Sequence, residues 1–340
     1  MASTIKDVAR EAGVAVCTVS FAMNGSAHVA ESTKKRIFET IERLNYRPNQ
    51  SARGLVTKKT NNIGLAVQRS VDEMEGTILS DLIKGMGKAA NQRNYDLVIY
   101  FQKSLQEGKD DDHVLDVYRK RSADGLMLMG TRIGERPYKE LVKQRFPFVL
   151  LGRPYRENVC HSVNADNVDA AYQATRYLLE KGHRRIGFIT PCSIEYEVAS
   201  DRLDGYKKAM VEAGIGVDEA LIAYGSFEEN SGLAEAEALL QLTVPPTAIL
   251  AGRDMLALRA LEVAQKLGIK VPEELALVGC ENSLMAQGAH PAITSVDLFM
   301  KDLGYQSANL LIDLIEGIVE YDDIKRVIIP HRIFERESSR

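Results

Sequence analysis

The chain has 340 residues, 45% hydrophobic and 26% charged, with four Cys and no Trp. This excludes a disordered, collagen-like or disulfide-built chain, and predicts more than one domain, since single cores stop growing near ~250–300 residues. The formal charge of −4 argues against a nucleic-acid partner only as an average. Residues 1–60 hold ten Lys/Arg against five Asp/Glu, a net of +5, while residues 61–340 hold 33 against 42, a net of −9. A small basic head therefore precedes a large acidic body, and a basic head suggests a polyphosphate partner.

The head reads as three short helices within residues 1–46. Thr4 caps the first, with Asp7 as the partner of a capping box. Ile5, Val8, Ala9 and Ala12 form its apolar face, and Gly13 breaks it. In VAVCTVSFAMNG, Val16, Val19 and Met23 are expected on one side, and Asn24-Gly25 is a stop signal. A third helix runs from about Ser32 to Asn45, with Ile37, Ile41 and Leu44 inward, and Pro48 ends the unit. Two short helices joined by a Gly-containing turn fit a helix-turn-helix. Val16, Cys17 and Thr18 would then face base edges, and Ser20 would reach a phosphate. The same pattern also fits a three-helix interaction module that meets no DNA. NQSARGLVTKKT (49–60) is too short to bury a core and reads as a linker that orders on contact.

From residue 61 apolar runs alternate with helical stretches. Strands are predicted at 62–67, 96–101, 124–130 and 146–152, then at 184–190, 220–225, 247–252 and 275–279. Amphipathic stretches bridge most of them, such as 76–93 with Ile78, Leu82, Met86 and Ala89. Strands alternating with helices mean βαβ units and parallel sheets. Two such sets predict two similar lobes with a ligand cleft at the C-terminal strand ends.

Enzyme signatures are lacking. GMGKAA (85–90) lies inside a predicted helix rather than at a strand-to-helix turn, where a phosphate would need it. No GxSxG, HExxH or GxxxxGK[ST] occurs, and His183 reads as a capping or surface residue after Gly182. Cys17, Cys160, Cys192 and Cys280 are scattered, so neither a metal nor a disulfide is expected. No run of ~18 apolar residues predicts a membrane span. The first residues, with Asp7 and Glu11, do not read as a secretory signal. Arg202 is expected at the opening of a helix, where its fork suits ring hydroxyls or a carboxylate.

TIKDVAREAGVAVCTVSFAMNG and STKKRIFETIERLNYRPNQSARGL resemble the LacI/GalR family of bacterial transcription regulators. EKGHRRIGFIT, SDRLDGYKKAM, PPTAILAGRDMLAL, VPEELALVG and PAITSVD follow in the family's order. The resemblance implies that Val16, Cys17 and Phe21 read bases, and that Thr4, Ser20, Asn24, His28 and Thr33 touch phosphates. Phe21 stands where Arg or His is common. Phe cannot donate to guanine but can pack on a thymine methyl. Asn49 and Ala52–Val56 match the hinge segment on DNA, and Leu55 matches a leucine wedged into the minor groove. Arg202 matches the residue that grips the effector, and Phe227 a ring that stacks on it. Met129 and Gly152 match cleft-lining positions. Arg253 falls where many members carry Asn, and Glu281 where many carry Asp or Asn. These two either pair across the cleft or project away from the ligand. PFVLLGRPY and RVIIPHRIFERES look most like the maltose/α-glucoside branch.

The expected architecture is a small all-α helix-turn-helix head plus an α/β two-lobe body like periplasmic binding proteins, with parallel sheets flanked by helices. The expected domains are 1–48, a hinge at 49–60, an N-terminal lobe of 61–163 and 293–322, and a C-terminal lobe of 164–292 and 323–340. The helix at 300–316 would join the first lobe and RVIIPHRIF the second. The resemblance implies a cytoplasmic, nucleoid-associated homodimer, without cofactor, metal or catalysis. It would bind operator DNA and a sugar, oligosaccharide or phosphosugar, with Arg253 also compatible with an anion. The alternative is a two-lobe solute-binding protein without DNA function.

Overall fold

The computed structural model describes residues 3–23, 28–46, 59–67, 78–101, 113–130, 137–153, 160–228 and 230–340. The chain divides into two compact units, Met1–Thr60 and Asn61–Arg340.

The first unit holds α1 (Ile5–Ala12), α2 (Val16–Met23) and α3 (Glu31–Arg43). Thr4 forms the expected capping box with Asp7, and Gly13, at φ 64°, ends α1 in the left-handed conformation. Val8, Ala9, Ala12, Val19, Ala22, Val29 and Ile37 make one buried cluster. Small side chains at Ala9, Ala12 and Ala22 let three short helices pack around Val19 and Ile37. One expectation is corrected here: Val16 is 40% exposed, and Ala22 takes the inward place beside Val19. Position 22 lies three residues after 19, as the helical period requires, and a small residue suffices where helices cross.

The second unit carries two six-stranded sheets. Strands β1 (Asn62–Val67), β2 (Asp96–Phe101), β3 (Gly125–Met129), β4 (Phe148–Leu151), β5 (Ser162–Ala165) and β11 (Arg326–Ile329) form the first, in the order β11-β5-β4-β3-β1-β2. Strands β6 (Ile186–Ile189), β7 (Ile222–Ala223), β8 (Ala248–Ala251), β9 (Ala276–Cys280), β10 (Thr294–Asp297) and β12 (Arg332–Phe334) form the second, in the order β12-β10-β9-β8-β6-β7. Every recorded pairing is parallel except β10 with β12. The two sheets repeat one plan, a doubly wound order that reverses beside its first strand. Apolar runs such as GLMLM and AILA are buried because helices cover both faces.

Sheet membership corrects the expected lobe boundaries. Thr294–Asp297, expected in the N-terminal lobe, pairs with β9 and β12 of the second sheet. Arg326–Ile329, expected in the C-terminal lobe, pairs with β5 of the first. RVIIPHRIF is thus divided, its first half in one sheet and its second in the other. The chain passes between the lobes after Ala165, after Asp297 and after Ile329. Helix α12 (Met300–Glu316) packs on α4 (Ile78–Gln92), β3 and β4, as expected for the first lobe.

Each lobe contains one very close helix crossing. A Cβ at Gly85 of α4 would run into the Lys301 carbonyl of α12, and one at Gly304 into the Leu82 carbonyl. In the second lobe a Cβ at Gly205 of α8 (Glu197–Glu212) would meet the Val168 carbonyl of α7 (Asn167–Glu180). Gly85 of the GMGKAA string is therefore a packing residue. His183, after the Gly182 stop, bonds Thr247 Oγ1 through Nδ1 at 3.0 Å.

Candidate functional site

A cavity of about 160 Å³ lies between the lobes at the C-terminal strand ends. Met129, Gly152, Arg202, Phe227, Arg253 and Glu281 all line it, six residues brought together from separate places in the two lobes. Met129 ends β3 and Gly152 follows β4, on the first lobe. Glu281 follows β9, and Arg253 is the N-cap of α10 (Asp254–Lys266), on the second. Phe227 sits in the loop after β7, edge-on to Tyr196, with ring centroids 5.2 Å apart.

Gly152 and Glu281 hold equivalent places after the fourth strand of each sheet, and both have left-handed φ, 136° and 126°. Glycine adopts this freely, whereas glutamate there is strained. Arg202 lies in the second turn of α8, not at its opening as expected, because the helix starts at Glu197. Its Nε donates to Asn167 Oδ1 at 3.0 Å, and a terminal nitrogen donates to the Gly252 carbonyl. Arg253 donates to the Ser226 carbonyl at 2.9 Å and lies 5.6 Å from the centre of the Phe227 ring. Its recorded contacts are with this loop.

Three further charged residues line the cavity and escaped the sequence reading: Arg153, Glu197 and Asp201. Arg153, after β4, donates to both Asp201 oxygens, at 2.6 and 3.3 Å. This pair ties the first lobe to α8 of the second. Glu197 keeps one carboxylate oxygen buried without a hydrogen bond. Burial, then the Asp201 charge, push its pKa up to about 7, against the opposing pull of Arg153. Acids four residues apart ahead of Arg202 were the available signal, but nothing in the spacing links them to residue 153.

Among the described residues, no group of three or more His, Cys, Asp or Glu could hold a metal ion. None of the described helices is long and apolar enough to cross a membrane.

On the head, Val16, Cys17 and Phe21 are exposed on α2, and Phe21 shows 53% of its surface. A bare phenylalanine on a short helix serves no core there, and its ring is available to a partner. Thr18 and Ser20 are half-buried on the same helix; Thr4 and His28 are exposed, and Thr33 is half-buried in the first turn of α3. Asn24, Asn49, Ala52 and Leu55, with residues 49–58 of the expected hinge, lie outside the described residues.

Residues 4–49 match the family described as bacterial regulatory proteins, lacI family, and residues 175–339 match the periplasmic binding protein-like domain. The chain is 34% identical to catabolite control protein A of Priestia megaterium over 337 residues, 99% of each chain. It is 32% identical to the HTH-type transcriptional regulator CelR of Thermobifida fusca over 339 residues, 98% of each. Among solved structures, a transcriptional regulator CelR-cellobiose complex is 30% identical, covers 99% of both chains and has a TM-score of 0.75. The lac repressor dimer bound to operator and an anti-inducer covers 99% of both chains at a TM-score of 0.87 and 22% identity, a likeness of fold.

Proposed function

Because the chain belongs to the lacI family of bacterial regulatory proteins, we propose that it represses carbohydrate-utilisation genes as a homodimer on a near-palindromic operator. It is a DNA-binding transcription regulator, with a helix-turn-helix head and a two-lobe periplasmic-binding-protein-like body. The interlobe cleft takes the small effector, a sugar, oligosaccharide or phosphosugar. The observation that carries this reading is the convergence of six expected effector residues on one cavity. The relative solved with cellobiose supports a sugar class.

On this reading Val16, Cys17 and Phe21 face base edges while Thr4, Ser20, His28 and Thr33 meet phosphates. Asn24, Asn49, Ala52 and Leu55 join them on DNA. Effector acts through its different affinity for two arrangements of the lobes, which changes the operator affinity of the head. The protein works in the cytoplasm, at the nucleoid, and carries out no catalytic step. The maltose/α-glucoside branch rests on the short sequence segments alone.

Selection from random DNA with the full chain tests the reading. A near-palindromic site should be enriched, and binding to it should weaken steeply with salt. Equal affinity for every sequence overturns the operator assignment. Thermal-shift screening against sugars, repeated with Arg202→Ala, tests the cleft, since a ligand shift that survives this change refutes the site.

A further inference from the structure

Arg202 and Arg253 are more than nine-tenths buried, at 4% and 9% exposure, and both line the interlobe cavity. A guanidinium withdrawn from water is costly unless a negative group answers it. Among the described residues, the hydrogen-bond partners of both are neutral: Asn167 and the Gly252 carbonyl for Arg202, the Ser226 carbonyl for Arg253. The Arg253 Nε is buried and makes no hydrogen bond at all. The third arginine of the cavity behaves differently, since Arg153 meets the Asp201 carboxylate at 2.6 Å. One of the three cations is thus paired directly with a carboxylate, while the recorded hydrogen bonds of the other two go to neutral groups, in a cavity that Glu281 also lines.

We propose that the effector is a small hydroxylated anion, a sugar ring bearing a carboxylate or phosphate, whose oxyanion is held between Arg202 and Arg253. Arg forks match both oxyanions geometrically and bind them more strongly than neutral acceptors. Phe227, whose ring centre lies 5.6 Å from the Arg253 guanidinium, lines the same cavity, and aromatic side chains of this kind are common in ligand pockets. The cavity, at about 160 Å³, is below the ~300–1,000 Å³ usual for drug-sized ligands, which favours one ring over an extended chain. Glu197 does not oppose an anion as an ordinary carboxylate would. It faces Asp201 from its own helix, Arg153 from the end of β4 and Cys160 from the start of β5. With its pKa near 7, it takes up a proton when an anion arrives and then donates from its carboxyl.

This inference rests on the cleft being the effector site, and the experiment separates the two. The full chain is titrated calorimetrically with glucose, galactose and cellobiose, and with glucuronate, galacturonate and glucose 6-phosphate. An anion should bind at least about tenfold more tightly than its neutral counterpart. Arg253→Gln should remove that preference. A response to the uronates alone identifies a carboxylate ligand, and a response to glucose 6-phosphate alone identifies a phosphate. In the wild-type protein, which needs no variant to fold, uronate affinity should rise from pH 8 to pH 6 as Glu197 takes its proton, because a uronate keeps its own charge over this range. Neutral sugars binding as tightly as the anions overturn the inference and leave the effector reading standing. An unchanged preference in Arg253→Gln, or uronate affinity that falls toward pH 6, also overturns it. Silence across the panel overturns both.

Discussion

The Arg153 guanidinium, on the first lobe, grips the Asp201 carboxylate, on the second, at 2.6 Å across the mouth of the cleft. The Asp201 side chain is 3% exposed and that of Arg153 is 53% exposed. The two ends are thus unequally dependent on each other. Arg153→Met leaves a buried carboxylate without its cation, whereas Asp201→Asn leaves a cation that water still reaches. Arg153→Met should cost about 1–2 kcal/mol, discounted from a fully buried pair because one partner is half solvated, and Asp201→Asn less. Chemical denaturation measures both. Small-angle scattering of the ligand-free protein should show a larger radius of gyration in either variant. Unaltered stability and radius would show that the pair does not hold the lobes.

Glu281 keeps a backbone conformation that its counterpart Gly152 adopts without strain. Glu281→Gly should therefore leave the melting temperature equal to or above that of the wild type. The relieved strain, about 1–3 kcal/mol, competes with a smaller gain in unfolded-chain entropy. Effector affinity should fall in the same variant. A substantially lower melting temperature would place the role of Glu281 in the fold instead of the cleft.

The raised pKa of Glu197, about 7, means that the folded protein holds this proton better than the unfolded chain does. Folding then binds protons between the unfolded value, about 4.5, and about 7, so this contribution to stability declines as pH rises through that window and is flat above it. Glu197→Gln carries no such proton. It should be more stable than wild type at pH 8, by about 1–2 kcal/mol after allowance for partial solvation, with little difference at pH 4. A difference between the two proteins that does not vary with pH contradicts this.

Phe21 projects from α2 with more than half of its surface bare. If its ring packs on thymine methyls, Phe21→Ala should weaken binding to the selected operator by roughly 1–2 kcal/mol. Affinity for random DNA and the slope of affinity against salt should stay as they were, since phosphate contacts set both. Fluorescence anisotropy on the two DNAs distinguishes this from a general loss of the head.

The apolar runs that hold β1 to β4 and β6 to β9, with the helices between them, were legible because their side chains report burial in a sheet. SVNA and TSVD were not. They have four residues each, five of the eight polar, and become strands because a neighbour in the sheet offers its free edge. β11 pairs with β5 across some 160 positions of sequence, and that distance is what misplaced the lobe boundaries. The Thr4–Asp7 box was legible because capping is local. In the cleft, the resemblance pointed to Arg202 and Phe227, but Arg153 with Asp201 exists only once two lobes close on each other.

The glycine crossings of α4 with α12 and of α7 with α8 bring backbone directly against backbone. Such a joint has no side-chain layer to shear, so neither helix pair slides without breaking its fit. Each lobe then moves as one stiff body. Any rearrangement on ligand entry is concentrated in the short connections after Ala165, Asp297 and Ile329. Like the pins of a hinge, they set the axis about which the cleft opens and the direction in which its far edge swings.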